Sequence, residues 1–236
     1  MTDLIYAAAA DIYWDLGWRG IIPVDPADKG GVPKGFTGHD GIDVTRENLE
    51  WFVKSKPGYN IGLRQPDDVI GIDTDAYGRK TGAATQAEAE KRWGKLPYSP
   101  RSTSRDDGIS GIRLYRIPPG VELVGVIEFP ELGIGDIEII QRHHRHVQCW
   151  PSRHPQTGRL YQWLGIDDQP LDSPPHYPGD IPDLPAAWLE ALTKPAHNNG
   201  ADLGDAAPYN VAEALTKGKP SPRVAARLAQ ALGDLL

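Results

Sequence analysis

Apolar and polar residues recur along this chain with two periods, and the switch between them divides it into elements. Residues 3–17 place Leu4, Ala8, Ile12 and Leu16 at every fourth position, the stripe of an amphipathic helix. A short apolar run at 20–24 predicts a strand. The Gly-, Pro- and Lys-rich stretch 25–43 predicts a long loop, a kind of segment that often carries function. Thr45 suits the N-cap of a helix ending near Ser55. Residues 59–64 and 69–75 read as strands, and the Gln65-Pro66-Asp67-Asp68 turn between them predicts a hairpin. Helix is expected at 83–93, then strands at 101–104, 111–116, 124–128, 136–141, 146–150 and 160–163. A Pro- and Asp-rich stretch, 166–185, leads to a short helix at 186–192. Residues 197–207 are small and polar, and 210–216 and 222–236 read as two more helices. Strands and helices without a regular βαβ alternation predict an α+β fold with a largely antiparallel sheet.

Composition narrows the class. With 236 residues, 39% hydrophobic and 24% charged, the chain has the make-up of a soluble globular protein of one main domain and an appendage. No apolar run approaches the roughly 20 residues that span a bilayer, and no basic segment precedes the N-terminal alanines as in a signal peptide. These features imply no membrane association and a cytoplasmic location. The single cysteine, Cys149, excludes an internal disulfide framework and a cysteine-based zinc site. A net charge of −7 argues against a general nucleic-acid coat. The charge is uneven, however. Residues 142–159 hold Arg142, Arg145, Arg153 and Arg159 with His143, His144, His146 and His154, and no acid. Residues 101–116 add four arginines against Asp106 and Asp107, so the two segments are candidates to line a positive cleft.

The candidate chemistry begins with Val69-Ile70-Gly71-Ile72-Asp73-Thr74-Asp75. Strand alternation puts Asp73 and Asp75 on one side and Ile70 and Ile72 on the other. Two carboxylates so spaced can share one or two Mg²⁺ ions, which commonly handle phosphates. A buried strand running into an acidic turn is the plainer account. Asp136-Ile137-Glu138-Ile139-Ile140 is a second strand with acids at alternate positions, and Glu138 faces away from the packing of Ile137 and Ile139. A third carboxylate beside the aspartates completes a two-metal constellation. Ser152-Arg153-His154, held between Pro151 and Pro155, offers a hydroxyl, a guanidinium and an imidazole on a stiff turn, a set suited to a triphosphate. In a strand, His144 and His146 point together and His143 points away, so a zinc reading is open but weaker than phosphate contact. Lys34-Gly35-Phe36-Thr37-Gly38 resembles a phosphate-touching loop without the full P-loop pattern.

Three segments, 69–75, 102–116 and 138–163, in this order and at these separations, resemble the bifunctional DNA primase/polymerase (prim-pol) family of the archaeo-eukaryotic primase superfamily. Versions in phage and plasmid replication proteins are the nearest in pattern. The Pro-Ser-Arg-His-Pro, Thr-Gly, Tyr and Trp signature of 151–163 is the specific part, and the resemblance covers roughly residues 5–165. It implies an RRM-like palm sheet with an N-terminal α/β subdomain, in a catalytic domain of residues 1–194. A linker at 195–207 and a helical segment at 208–236 follow, the latter read as the start of an accessory bundle in a longer polypeptide. It implies that Asp73, Asp75 and Glu138 are catalytic and bind Mg²⁺ or Mn²⁺. The nucleotide's phosphates then fall to Arg113, His144, Ser152, Arg153, His154 and Lys34. Arg113 stands where the family commonly has a histidine, and its permanent charge excludes easy proton transfer.

The activity implied is template-directed nucleotidyl transfer, both primer synthesis and DNA polymerisation. Its partners are a single-stranded DNA template and primer, dNTP or NTP, and a helicase on the same polypeptide, in the host cytoplasm if the gene is a phage's. Two other readings compete. A nucleotide-sugar glycosyltransferase also uses Asp-x-Asp at a strand end. A non-catalytic single-strand binding module needs aromatics for stacking, for which Trp150, Tyr161 and Trp163 are the candidates.

Overall fold

Nine strands fall into two sheets among the described residues, and every ladder between them is antiparallel. The computed structural model describes residues 4–28 and 30–193, which belong to the compact unit Met1–Pro195. The linker expected at 195–207 and the helices expected beyond it lie outside the described residues. In chain order the elements are α1 (Ile5–Asp15), β1 (Ile21–Val24), α2 (Arg46–Ser55), β2 (Asn60–Leu63), β3 (Val69–Thr74) and α3 (Gly82–Trp93). Then come β4 (Arg101–Thr103), β5 (Gly111–Arg116), β6 (Val126–Phe129), β7 (Ile134–Ile140), β8 (Val147–Cys149), β9 (Gln162–Leu164) and α4 (Ala186–Leu192). The fold is thus mixed α and β with antiparallel sheets, as the lack of βαβ alternation predicts. Among the described residues no helix is long and apolar enough to cross a membrane.

The larger sheet has six strands in the order β6-β7-β3-β5-β4-β9, and the smaller has three in the order β1-β2-β8. The predicted hairpin of residues 59–64 and 69–75 does not form. β2 pairs with β1 and β8, whereas β3 pairs with β5 and β7 in the other sheet. Both runs have strand character, but each buries its own apolar face against a different layer, and the turn between them crosses from sheet to sheet.

Alternation along β3 builds two cores. Ile70 and Ile72, with Tyr115, Ile137 and Ile139, pack under α3 and α4, where Ala89, Trp188 and Leu192 are buried. Val69, Ile112, Leu114 and Ile140 face the small sheet and join Ile61, Val147, α1 and α2. The face of α1 that is buried differs from the predicted stripe. Tyr6, Ala9, Ala10 and Tyr13 go inside, while Leu4, Ala8 and Ile12 are exposed. The tyrosines prevail because each reaches a hydrogen-bond partner across the core. Tyr6 Oη donates to the Ile21 carbonyl at 2.7 Å, and Tyr13 Oη to that of Trp150 at 2.6 Å. At α2 the capping prediction holds: Thr45 Oγ1 accepts from Asn48 N at 3.2 Å, and Asn48 Oδ1 accepts from Thr45 N at 3.1 Å.

Candidate functional site

The small sheet covers only part of the β3 face that carries Val69, Gly71 and Asp73, and beyond its edge the face opens into a cleft of about 600 Å³. Asp73 forms the floor there. Its register partners are Glu138 on β7 and Ile112 on β5, and directly opposed residues of an antiparallel ladder share a face. Asp75 follows one residue beyond the end of β3 and also lines the cleft. Its backbone is fixed from both sides: its N–H donates to the Asp136 carbonyl at 3.0 Å, and its own carbonyl accepts from Gly82 N at 2.9 Å. A Cβ at position 82 would lie 2.3 Å from that carbonyl oxygen, so only glycine lets α3 begin so close to the strand end.

The four acids do not share one environment. Asp136 has φ 65°, which turns its side chain toward the start of α3. There it accepts from Lys80 Nζ at 2.7 Å, Thr81 N at 2.9 Å and Thr81 Oγ1 at 3.0 Å. Those bonds, the Lys80 one foremost, pull its pKa down to about 2. Asp75 moves the other way. Burial raises its pKa, aided by the Glu138 and Asp136 charges, against the pull of Lys80 and Arg105. Glu138 Oε2 lies 3.1 Å from Arg145 Nε, but the N–H is not aligned on it, and the oxygen is buried without a hydrogen bond. Among the described residues no three His, Cys, Asp or Glu side chains are grouped closely enough to hold a metal ion. The donors nonetheless suit a hard divalent cation. All are carboxylate oxygens, and one of them, Glu138 Oε2, is buried without accepting a hydrogen bond.

Facing the acids is a wall rich in imidazoles. His143, His144, His146 and His154 all line the cleft, with Arg105 and Arg145. The strand rule that sends His143 away from His144 does not apply. Gln141 and His144 close a turn (the His144 N–H donates to the Gln141 carbonyl at 2.9 Å), and Arg145 has φ 68°. β8 begins only at Val147. His146 rests on β2: a Cβ at Gly62 would lie 2.6 Å from its Cδ2, so glycine there gives the ring its place. Arg105 lies over Tyr77, with Cζ 3.3 Å from the ring centroid. His39 stacks on His143 at 4.3 Å between centroids, and Thr37 and Gly38 reach the cleft from the long loop. That loop is held by the buried Arg64. Its Nη2 donates to the Gly38 carbonyl at 3.1 Å, Nη1 to Ile42 O at 3.2 Å and Nε to Arg142 O at 3.0 Å.

Of the sequence candidates, Asp73, Asp75, Glu138, His144 and His154 come together in this cleft, and four others do not. Arg113 pairs with Ile72 and Arg101, so it occupies the opposite face of the sheet from Asp73. Ser152 is fully buried, and its hydroxyl is spent on β2, accepting from Ile61 N at 2.7 Å and donating to Ile61 O at 3.2 Å. Arg153 is exposed outside the cleft, with Nη1 donating to Gly158 O at 3.3 Å. Lys34 lines a separate cavity. Half of the eight arginines of the two basic segments are likewise paired elsewhere: Arg101 to Asp168, Arg116 to Asp183, Arg142 to Asp43 and Asp67, and Arg159 to Asp106. Sequence reasoning placed the segment of Arg105 at a positive cleft but gave that residue no role, and it missed Arg64 as the organiser of the loop. Nothing local distinguishes a buried arginine. Of the aromatics proposed for base stacking, Trp150 is half-buried and outside the cleft lining. Trp163 is buried and donates Nε1–H to Tyr13 Oη at 2.8 Å, whereas Tyr161, largely buried, still lines the cleft.

The sequence matches a family model described as bifunctional DNA primase/polymerase, N-terminal, over residues 10–186. No curated protein and no solved structure matches the chain.

Proposed function

The chain belongs to the bifunctional DNA primase/polymerase family, and we propose that its cleft carries out template-directed nucleotidyl transfer on single-stranded DNA. The observation that supports this most is the opposition of Asp73 and Glu138 on neighbouring strands, with Asp75 at the strand end and a histidine-rich wall across from them. In this reading Asp73, Asp75 and Glu138 hold Mg²⁺ or Mn²⁺. When bound, such ions lower the pKa of a primer 3′-hydroxyl and offset charge developing on the α-phosphate.

The chain's own residues do the rest. Arg105 and Arg145 present guanidinium forks to the triphosphate, and His144 and His154 add single hydrogen bonds. Arriving phosphate gives Arg145 a partner in place of Glu138, which releases that carboxylate to face the floor of the cleft. Tyr77 keeps Arg105 in one orientation, so less freedom is lost when it meets an anion. The family resemblance alone supports a setting in phage or plasmid replication, with a helicase on the full-length polypeptide.

The test is extension of a primed single-stranded template by the full chain with dNTP and Mn²⁺. Asp73→Asn and Glu138→Gln, which keep shape and remove charge, are expected to abolish incorporation while leaving the thermal midpoint near that of the parent. Full extension by either variant removes the proposed metal role.

A further inference from the structure

A second cavity, of about 520 Å³, adjoins the acidic cleft, and Val32 lines both. Its volume falls in the range of roughly 300–1,000 Å³ typical of small-ligand pockets. Phe36, Trp51 and Tyr59 supply ring surface, and Lys34 and Lys56 supply charge. Trp51 is 58% exposed although the next residue, Phe52, is buried and touches it edge-on at 5.3 Å. Trp51 thus presents an uncovered ring at the pocket wall, next to Phe36 and Tyr59 in the lining. Lys56 Nζ lies 4.3 Å from the centre of the Tyr59 ring and donates to its hydroxyl at 3.1 Å, so this cation is set at the pocket wall. Asp25 also lines the pocket, but its Oδ1 already accepts from Ala27 N at 2.8 Å. Two lysines against one carboxylate make the pocket positive in a chain of net charge −7.

We propose that this pocket receives an unpaired base of the single-stranded DNA template, stacked on Trp51 with its flanking phosphates beside Lys34 and Lys56. Aromatic faces with flanking cations are the combination that holds single strands without reading sequence. An apolar peptide side chain would fill the rings but leave the two ammonium groups unused. The shared wall at Val32 sets the base next to the cleft where a templating strand has to run. The choice of DNA rests on the polymerase reading; the choice of an unpaired base rests on the pocket alone.

The proposal is tested with the full chain and a fluorescein-labelled oligothymidylate, by anisotropy in chelator, so that catalysis plays no part. Trp51→Ala is expected to weaken binding by about fivefold or more, and Trp51→Phe, which keeps a stacking face, to restore most of it. Lys34→Gln with Lys56→Gln should flatten the dependence of affinity on salt. Equal binding by Trp51→Ala and parent, or equal binding of a duplex of the same length, overturns the proposal. Full displacement by dTTP at matching concentration assigns the pocket to a mononucleotide and overturns the strand. Tighter binding of the oligoribonucleotide overturns the choice of DNA. A chain that binds through Trp51 but incorporates no nucleotide supports the pocket and removes only the polymerase reading.

Discussion

Arg145 Nε stands 3.1 Å from Glu138 Oε2, so a cation lining the cleft sits on one of its prospective metal ligands. Both side chains are substantially exposed, at 57% and 38%, and a pair in such contact with solvent contributes little to stability. Its role is therefore better sought in exchange. Arg145→Ala is expected to tighten Mn²⁺ binding by about two- to fivefold, the range set by the small energy of an exposed pair, while raising KM for nucleotide. Titration of Mn²⁺ by calorimetry and steady-state kinetics read the two effects separately. Unchanged values of both would show that the pair is only a surface contact.

Asp75 predicts a separation of stability from activity. Its carboxyl is raised chiefly by burial, so the folded state is penalised once the group ionises. The sign follows from linkage: stability is intact below the unfolded pKa of about 3.9 and declines as pH rises through the higher folded value. Asp75→Asn should melt at or above the parent's temperature at pH 7, match it below pH 4, and fail to incorporate nucleotide. A lower melting point at pH 7 would contradict the burial account.

Asp136 predicts the reverse. Its pKa is held down to about 2 by Lys80 and the start of α3, so its contribution is present above the unfolded value and disappears as pH falls toward 2. Asparagine tolerates the left-handed backbone at this position, but its amide nitrogen cannot accept, so the variant removes the charge together with at least one of the three hydrogen bonds. Asp136→Asn should lower the melting temperature at pH 7 and leave it unchanged at pH 2. The parent's acid limb between pH 4 and 2 should flatten in the variant.

Ser152 and His154 stand two residues apart, and the structure gives them different tasks. Ser152→Ala leaves the buried Ile61 N–H without its 2.7 Å acceptor, a loss of about 1–3 kcal/mol in unfolding free energy. Its KM for nucleotide should not move. His154→Ala should raise KM, since its ring lines the cleft, with less loss of stability than Ser152→Ala, because the bonds it accepts from Gln156 N and Thr157 N are long, at 3.3 and 3.4 Å. Denaturant unfolding with nucleotide kinetics on the two variants distinguishes these roles. An altered KM in Ser152→Ala would restore the hydroxyl to the phosphate site.

What the chain declares by itself is whatever depends on neighbours in sequence. The carboxylate phases of Asp73 and Glu138, the Thr45 cap and most strand positions follow from periods of 2 and 3.6 and from local hydrogen bonding, which the chain carries in any context. Pairing is different. That residues 60–63 and 69–74 enter separate sheets is decided by which apolar faces find each other, and no short segment encodes that. Charge is different again. Arg113 and Arg145 are equally basic in sequence. One lies behind the sheet and the other beside Glu138 because strand alternation governs the first and a left-handed turn aims the second. Tertiary packing thus selected, from many donors and cations that the sequence offered alike, the few that share one cleft.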